Sequence, residues 1–334
     1  MKTLLKQLTE TFGPSGYEDK VREIVRAEVK PLADEIKVDA LGNLIARKRP
    51  TKPSKDTKKI MIAAHMDEIG VIVSHVDENG FVRFSPIGGV FGRYVHGSRV
   101  RFLNGAQGVI GYDRLEKIHE APSLDKVHID VGASSKKDCP VKVGDVAAFD
   151  RPFIEMGNRL VAKSMDDRVG VLVAIETLRA LKSSPHDIYF VFTTQEEVGV
   201  RGAGTSAYRI DPDVGIAIDV TPSGDAPGAF KMEMALGKGP CIKIQDPGMI
   251  ADPRVVQWMI RAAEKNKLPF QREVLLIGST DARAIQLARA GVPAGCLSIP
   301  VRYVHSPSEM VDYSDVQNSV ELLTAILRSP INLG

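Results

Sequence analysis

Several apolar runs in this chain end in residues able to bind a cation or move a proton. Lys59–Ala64 is followed by His65-Met66-Asp67-Glu68, and Ile188–Phe192 leads through two threonines to adjacent acids Glu196 and Glu197. Asp213–Ala217 runs into Ile218-Asp219, and Val292–Ile299 into the stretch that carries His305. Asp166 and Asp167 stand just ahead of a further apolar run, Val169–Leu181. In an open α/β sheet the ligand crevice lies beyond the carboxyl ends of the strands, so residues in these places face one another. Each has a bland reading alone. A strand-end histidine is often structural, two aspartates at a helix start serve as caps, and strand-end acids are often solvated. Together, two imidazoles and several carboxylates without thiolates suit zinc, cobalt or manganese. One carboxylate can bridge two cations. The count therefore fits a dinuclear site of two histidines, a bridging aspartate and two terminal acids, with one acid left over as a base. Asp67, two residues after His65, is placed to orient the imidazole. If Glu196 and Glu197 are still extended, they point to opposite faces and need not share a job.

The elements that must position these groups alternate between helix and strand on either side of a block that does not. Helical spacing covers residues 2–12 and 18–30, separated by the turn Gly13-Pro14-Ser15-Gly16, and a β-hairpin is expected over 35–47. From Val71 to Ala162 short alternating runs are punctuated by glycines, which predicts an all-β module. Its histidines, His75, His96, His119 and His128, form no pattern that points to chemistry. After Ala162 the helix–strand alternation resumes. Residues 222–240 read as a long Gly/Pro-rich loop, Gly278-Ser279-Thr280-Asp281 as the cap of a helix running to Ala290, and 314–327 as a closing helix. The expected organisation is an α/β domain in two parts, 1–66 and 164–334, interrupted by a β insertion over 67–163.

Composition narrows the class. The chain has 334 residues, 43% hydrophobic and 26% charged, with a net charge of +2, so it offers neither the basic surface expected of a nucleic-acid binder nor one suited to an anionic membrane. No apolar run approaches the ~20 residues needed to span a bilayer. The N-terminus reads as an amphipathic helix rather than a signal peptide. Three scattered cysteines, Cys139, Cys241 and Cys296, suggest neither a disulfide framework nor a zinc–thiolate site, and a cytoplasmic protein is expected.

The segments HMDE (65–68), SMDDR (164–168), QEEVGVRGA (195–203), IDVT (218–221), GKGP (237–240), GSTDA (278–282) and IPVRYVHSPSE (299–309) occur in order over nearly the whole chain. Together they resemble the dinuclear metallo-aminopeptidases of the glutamyl aminopeptidase and tetrahedral (TET) type. The resemblance implies a phosphorylase/hydrolase-like three-layer α/β catalytic domain with an inserted barrel-like dimerisation domain. It implies two divalent ions per subunit, with zinc the first expectation and cobalt or manganese the alternatives. It also implies N-terminal cleavage of short peptides, and dimers that assemble into a dodecamer. By the same resemblance, His65 and Asp219 hold one ion, Glu197 and His305 the other, Asp166 bridges them, Glu196 is the general base, Asp67 orients His65, and the Asp166–Asp167 peptide bond is cis.

Two rivals remain at this level. Paired carboxylates also serve an endoglucanase-like glycoside hydrolase, although such enzymes ordinarily need no imidazole ligands. A non-catalytic assembly protein that merely stores metal is the other.

Overall fold

The computed structural model describes residues 1–114 and 121–331. His119 lies outside the described residues. Four parallel strands form the middle of a twelve-stranded sheet, in the order Asp187–Thr193, Lys59–His65, Val214–Pro222 and Ala294–Arg302. Their apolar runs are buried on both faces, as expected of a parallel sheet covered by helices. The pleat divides their side chains between two layers. Ile60, Ile62 and Ala64 pack in the core that includes the Met165–Ala180 and Tyr313–Arg328 helices. Met61 and Ala63 pack with the Arg201–Ile210 and Asp281–Gln286 helices on the other face. The result is the three-layer α/β architecture expected from the resemblance. Thr193 pairs with His65 and Asp219 with Ser298, so the carboxyl ends of all four strands share one edge.

The hairpin is present, with Glu35–Val38 antiparallel to Leu44–Lys48. The inserted block contains a closed six-stranded barrel: Gly70–Val76, Val82–Ile87, Val127–Asp130, Gln107–Tyr112, Arg99–Phe102 and Val146–Phe149. Its interior is filled by Val73, Val82, Phe84, Phe102, Ile110 and Ile129. Within it His128 bonds Asp113 and His96 packs edge-on against Tyr112. Arg159–Ala162 leaves the barrel and joins the large sheet, pairing with Ile154–Met156 on one side and Glu309–Asp312 on the other. Its Leu160 and Ala162 belong to the main core. The strands Glu309–Asp312 and Cys241–Asp246 were not anticipated.

The N-terminal helices Lys2–Glu10 and Asp19–Val29 pack on the Met165–Ala180 helix. Arg168 ties them down: its buried guanidinium donates to the carbonyl oxygens of Leu8 (2.6 Å), Thr11 (3.2 Å) and Gly13 (3.3 Å). No helix among the described residues is long and apolar enough to cross a membrane.

Candidate metal centre

His65 is the last residue of its strand and is buried. Its Nδ1 lies 3.1 Å from the backbone oxygen of Asp67, which can accept the Nδ1–H hydrogen bond and orients the ring so that Nε2 faces the crevice. Nε2 sits 3.0 Å from Asp166 Oδ1. The other oxygen of the same carboxylate, Oδ2, is 3.3 Å from His305 Nε2, and that nitrogen is also 3.3 Å from Glu197 Oε2. Asp166 thus turns one oxygen to each imidazole. Donor atoms of His65, Asp166 and Glu197 lie within 4.8 Å of one another, and so do those of His65, Asp167 and Asp219. The five ligand candidates read from the sequence, His65, Asp166, Glu197, Asp219 and His305, therefore meet in one crevice.

The electrostatics of this crevice call for cations. Burial would lower the pKa of His65, but bonds to Asp166 and Asp67 outweigh it and hold it well above its ordinary value. Against burial, Glu197 and Asp166 push His305 up to about 10. Burial, then repulsion from Asp166, pushes Asp219 well above the usual carboxylate range and Glu197 up to about 7. Glu196 is raised well above its ordinary value, first by burial and then by Asp219, Asp281 and Glu197, with His65 opposing. So many buried acids around two imidazoles are costly unless positive charge is supplied. The donor set, nitrogen and carboxylate oxygen without sulfur, fits divalent metal.

The supporting contacts refine the sequence reading. Asp67 reaches His65 chiefly through its backbone carbonyl, its carboxylate being 3.5 Å from Nδ1. That carboxylate instead accepts the Ser15 hydroxyl (2.6 Å) and the N–H groups of Glu196 (3.0 Å) and Glu197 (3.1 Å), one on each oxygen. The glutamates are not on extended strand: the strand stops at Thr193, Gln195 has a left-handed φ of 57°, and Glu196 opens a turn. Their separation comes from that turn, not from the pleat. The two aspartates also divide. Asp167 accepts the Gly170 N–H at 3.1 Å, as a helix cap does, while its donor atoms also lie with those of His65 and Asp219; Asp166 alone faces both imidazoles. The peptide bond between them is cis. Missed as site residues were Ser15 and Glu309, and Asp167 was read only as a cap. All three lie inside or beside quoted motifs, but they act through backbone amides or other acids that spacing alone does not reveal.

The barrel supplies one wall. A Cβ on Gly89 would lie 2.2 Å from His305 Nδ1, and one on Gly88, which has a φ of +73°, would lie 2.9 Å from Glu197 Oε2. Phe91 stacks on the His305 ring with centroids 6.4 Å apart. Gly89→Ala is therefore expected to displace the His305 ring and weaken metal binding about 10–100-fold, the range for losing a ligand's support. Ion content after equilibrium dialysis is the measurement; wild-type occupancy at wild-type affinity would show that the wall yields.

Comparison with known proteins agrees with this geometry. The chain is 37% identical over 339 residues to the lysyl aminopeptidase of Pyrococcus furiosus, covering 97% of this chain and 96% of that protein. Among solved structures, an aminopeptidase from Desulfurococcus kamchatkensis superposes with a TM-score of 0.93 at 44% identity, covering 98% of this chain and 94% of the other. The TET1 peptidase of Pyrococcus horikoshii, described as assembling into a tetrahedron or a large octahedral shell, gives 0.85 at 32% identity with 98% of each chain covered. The profile of the M42 glutamyl aminopeptidases matches residues 42–322. With a match of that extent and relatives aligned end to end, the chain belongs to the M42 glutamyl aminopeptidase family.

Proposed function

We propose that this chain is a dinuclear metallo-aminopeptidase that removes N-terminal residues from short peptides. The observation that carries the reading is Asp166, whose two carboxylate oxygens are addressed to different imidazoles at 3.0 and 3.3 Å. Such a group is placed to bridge, with His65 and Asp219 completing one site and Glu197 and His305 the other. Zinc is the first expectation, with cobalt or manganese as alternatives. Bound there, two divalent ions supply an acidified water and a polarised scissile carbonyl. The chain's own part is to hold and move protons around them. Glu196 is the general base, taking a proton from the attacking water and returning it to the leaving amine. Asp67 holds the amides of both glutamates and the turn that separates them. The acidic crevice favours the substrate's free α-ammonium, which selects exopeptidase over endopeptidase cleavage. An endoglucanase-like reading gives no role to the two imidazoles aimed at Asp166.

The test is hydrolysis of an aminoacyl-nitroanilide panel with added zinc, cobalt or manganese, with and without a chelator, beside a soluble cellulose. Metal-dependent release of nitroaniline is expected. Chelator-insensitive turnover, or cleavage of cellulose alone, would overturn the proposal.

The chain is organised as residues 1–66 and 151–334 around a barrel insertion, and it works as a cytoplasmic homo-oligomer. The barrel leaves Leu103, Val109 and Val143 exposed, which suits a contact between copies. Dimers assembling into a dodecamer are the expected state, with the active sites open only to peptides and unfolded ends. Light scattering after metal loading checks this; a strictly monomeric, fully active protein would exclude it.

A further inference from the structure

We propose that Glu309, bonded to the main chain of two ligand residues, is a positioning residue that sets the spacing between the bridging and terminal ligands of one metal site. This role rests on the dinuclear reading above. Glu309 is buried at the start of the Glu309–Asp312 strand, paired in register with Ala162. Its Oε2 accepts the backbone N–H of Asp166 at 2.9 Å, and its Oε1 accepts the backbone N–H of His305 at 2.8 Å. Asp166 lies in the non-helical stretch just ahead of a helix and His305 in the loop after a strand, so no local element relates them. One planar carboxylate, fixed by a sheet register, joins the two main chains.

The clamp is unequal between the two ions. The site of Glu197 and His305 also uses Asp166, so Glu309 holds the main chain at two of its three ligands. The site of His65 and Asp219 depends on Glu309 only through Asp166. His305 also sits at a left-handed φ of 57°, a disfavoured place for a residue with a side chain, and the bond to Glu309 holds it there. Each carboxylate oxygen is held by an amide, which fixes the plane of the Glu309 carboxylate.

The experiment compares Glu309→Gln and Glu309→Asp with wild type. Glutamine keeps one acceptor but turns an NH2 toward the other amide, and aspartate keeps the charge but is too short to reach both. Metal-stripped protein is titrated with cobalt, followed by visible absorption and by ion content after equilibrium dialysis, and the melting temperature of the stripped protein is recorded. The expected result in both variants is a first ion bound as in wild type and a second bound about 10–100-fold more weakly, with the stripped protein melting as wild type does. Two ions at wild-type affinity in either folded variant would overturn the role. So would equal weakening of both steps together with a lower melting temperature, the mark of a purely structural acid. Wild type that binds fewer than two ions would instead overturn the dinuclear reading on which the role rests.

Discussion

Glu196→Gln is expected to retain both metal ions and to lose about 10²–10⁴-fold in turnover, the contribution typical of a positioned general base. Glutamine preserves the size of the side chain and much of its hydrogen bonding but cannot accept a proton at neutral pH. Nothing in the substitution removes an anchor of the loop, because Asp67 holds residue 196 through its backbone N–H. Glu197→Gln should behave differently. Its Oε2 lies 3.3 Å from His305 Nε2, inside the group that also contains His65 and Asp166. A neutral amide oxygen is a poorer ligand for a hard cation than a carboxylate, so that variant should lose metal and recover part of its activity with excess ion. The two measurements are ion content and a rescue titration. If Glu196→Gln loses metal and is rescued, while Glu197→Gln keeps both ions and stays inactive, the assigned roles are reversed.

What could be read from the chain depended on whether a residue's role is local. His65, Asp219 and the two glutamates follow strongly apolar strand runs, and the crevice rule for parallel sheets places such residues together before any coordinates exist. Asp166 was harder, since a pair of aspartates before a helix has an ordinary explanation; the structure shows Asp167 making that capping bond and Asp166 facing both imidazoles. The barrel boundary was not legible. Arg159–Ala162 alternates like any short antiparallel strand, and nothing in four residues says whether the partner is a barrel neighbour or the edge of a distant sheet. Glu309 and Ser15 were invisible for a related reason. Ser15 meets Asp67, and Glu309 meets Asp166, only across distant stretches of chain; the Glu309 bond to His305, four residues back, has no signature of its own without the other.

A different kind of loss is expected at Glu68, one residue beyond Asp67. Glu68, Lys163 and Arg168 are all buried. The Glu68 carboxylate meets the Lys163 ammonium and the Ser164 hydroxyl, accepts the Gly13 N–H at 2.8 Å, and lies 3.5 Å from the Arg168 guanidinium. It therefore joins the N-terminal turn, the end of the His65 strand and the segment leading to Asp166. Glu68→Gln leaves two buried cations facing a neutral amide, and breaking a buried ion pair from one side typically costs about 3–5 kcal/mol. Arg168 has carbonyl partners and cannot shed its proton, but Lys163 can. Burial already lowers the Lys163 pKa, with Glu68 opposing, so removing the carboxylate should lower it further. A lysine whose folded pKa is depressed is more protonated in the unfolded chain, so stability rises with pH through the window above the folded value. The sign is then fixed: the deficit of Glu68→Gln against wild type should be largest near neutral pH and should shrink as pH climbs toward the ordinary lysine range. Denaturant midpoints for both proteins at several pH values between neutrality and that range measure it. A deficit that stays constant with pH, or a variant as stable as wild type at neutral pH, would show that Lys163 does not depend on Glu68 for its charge.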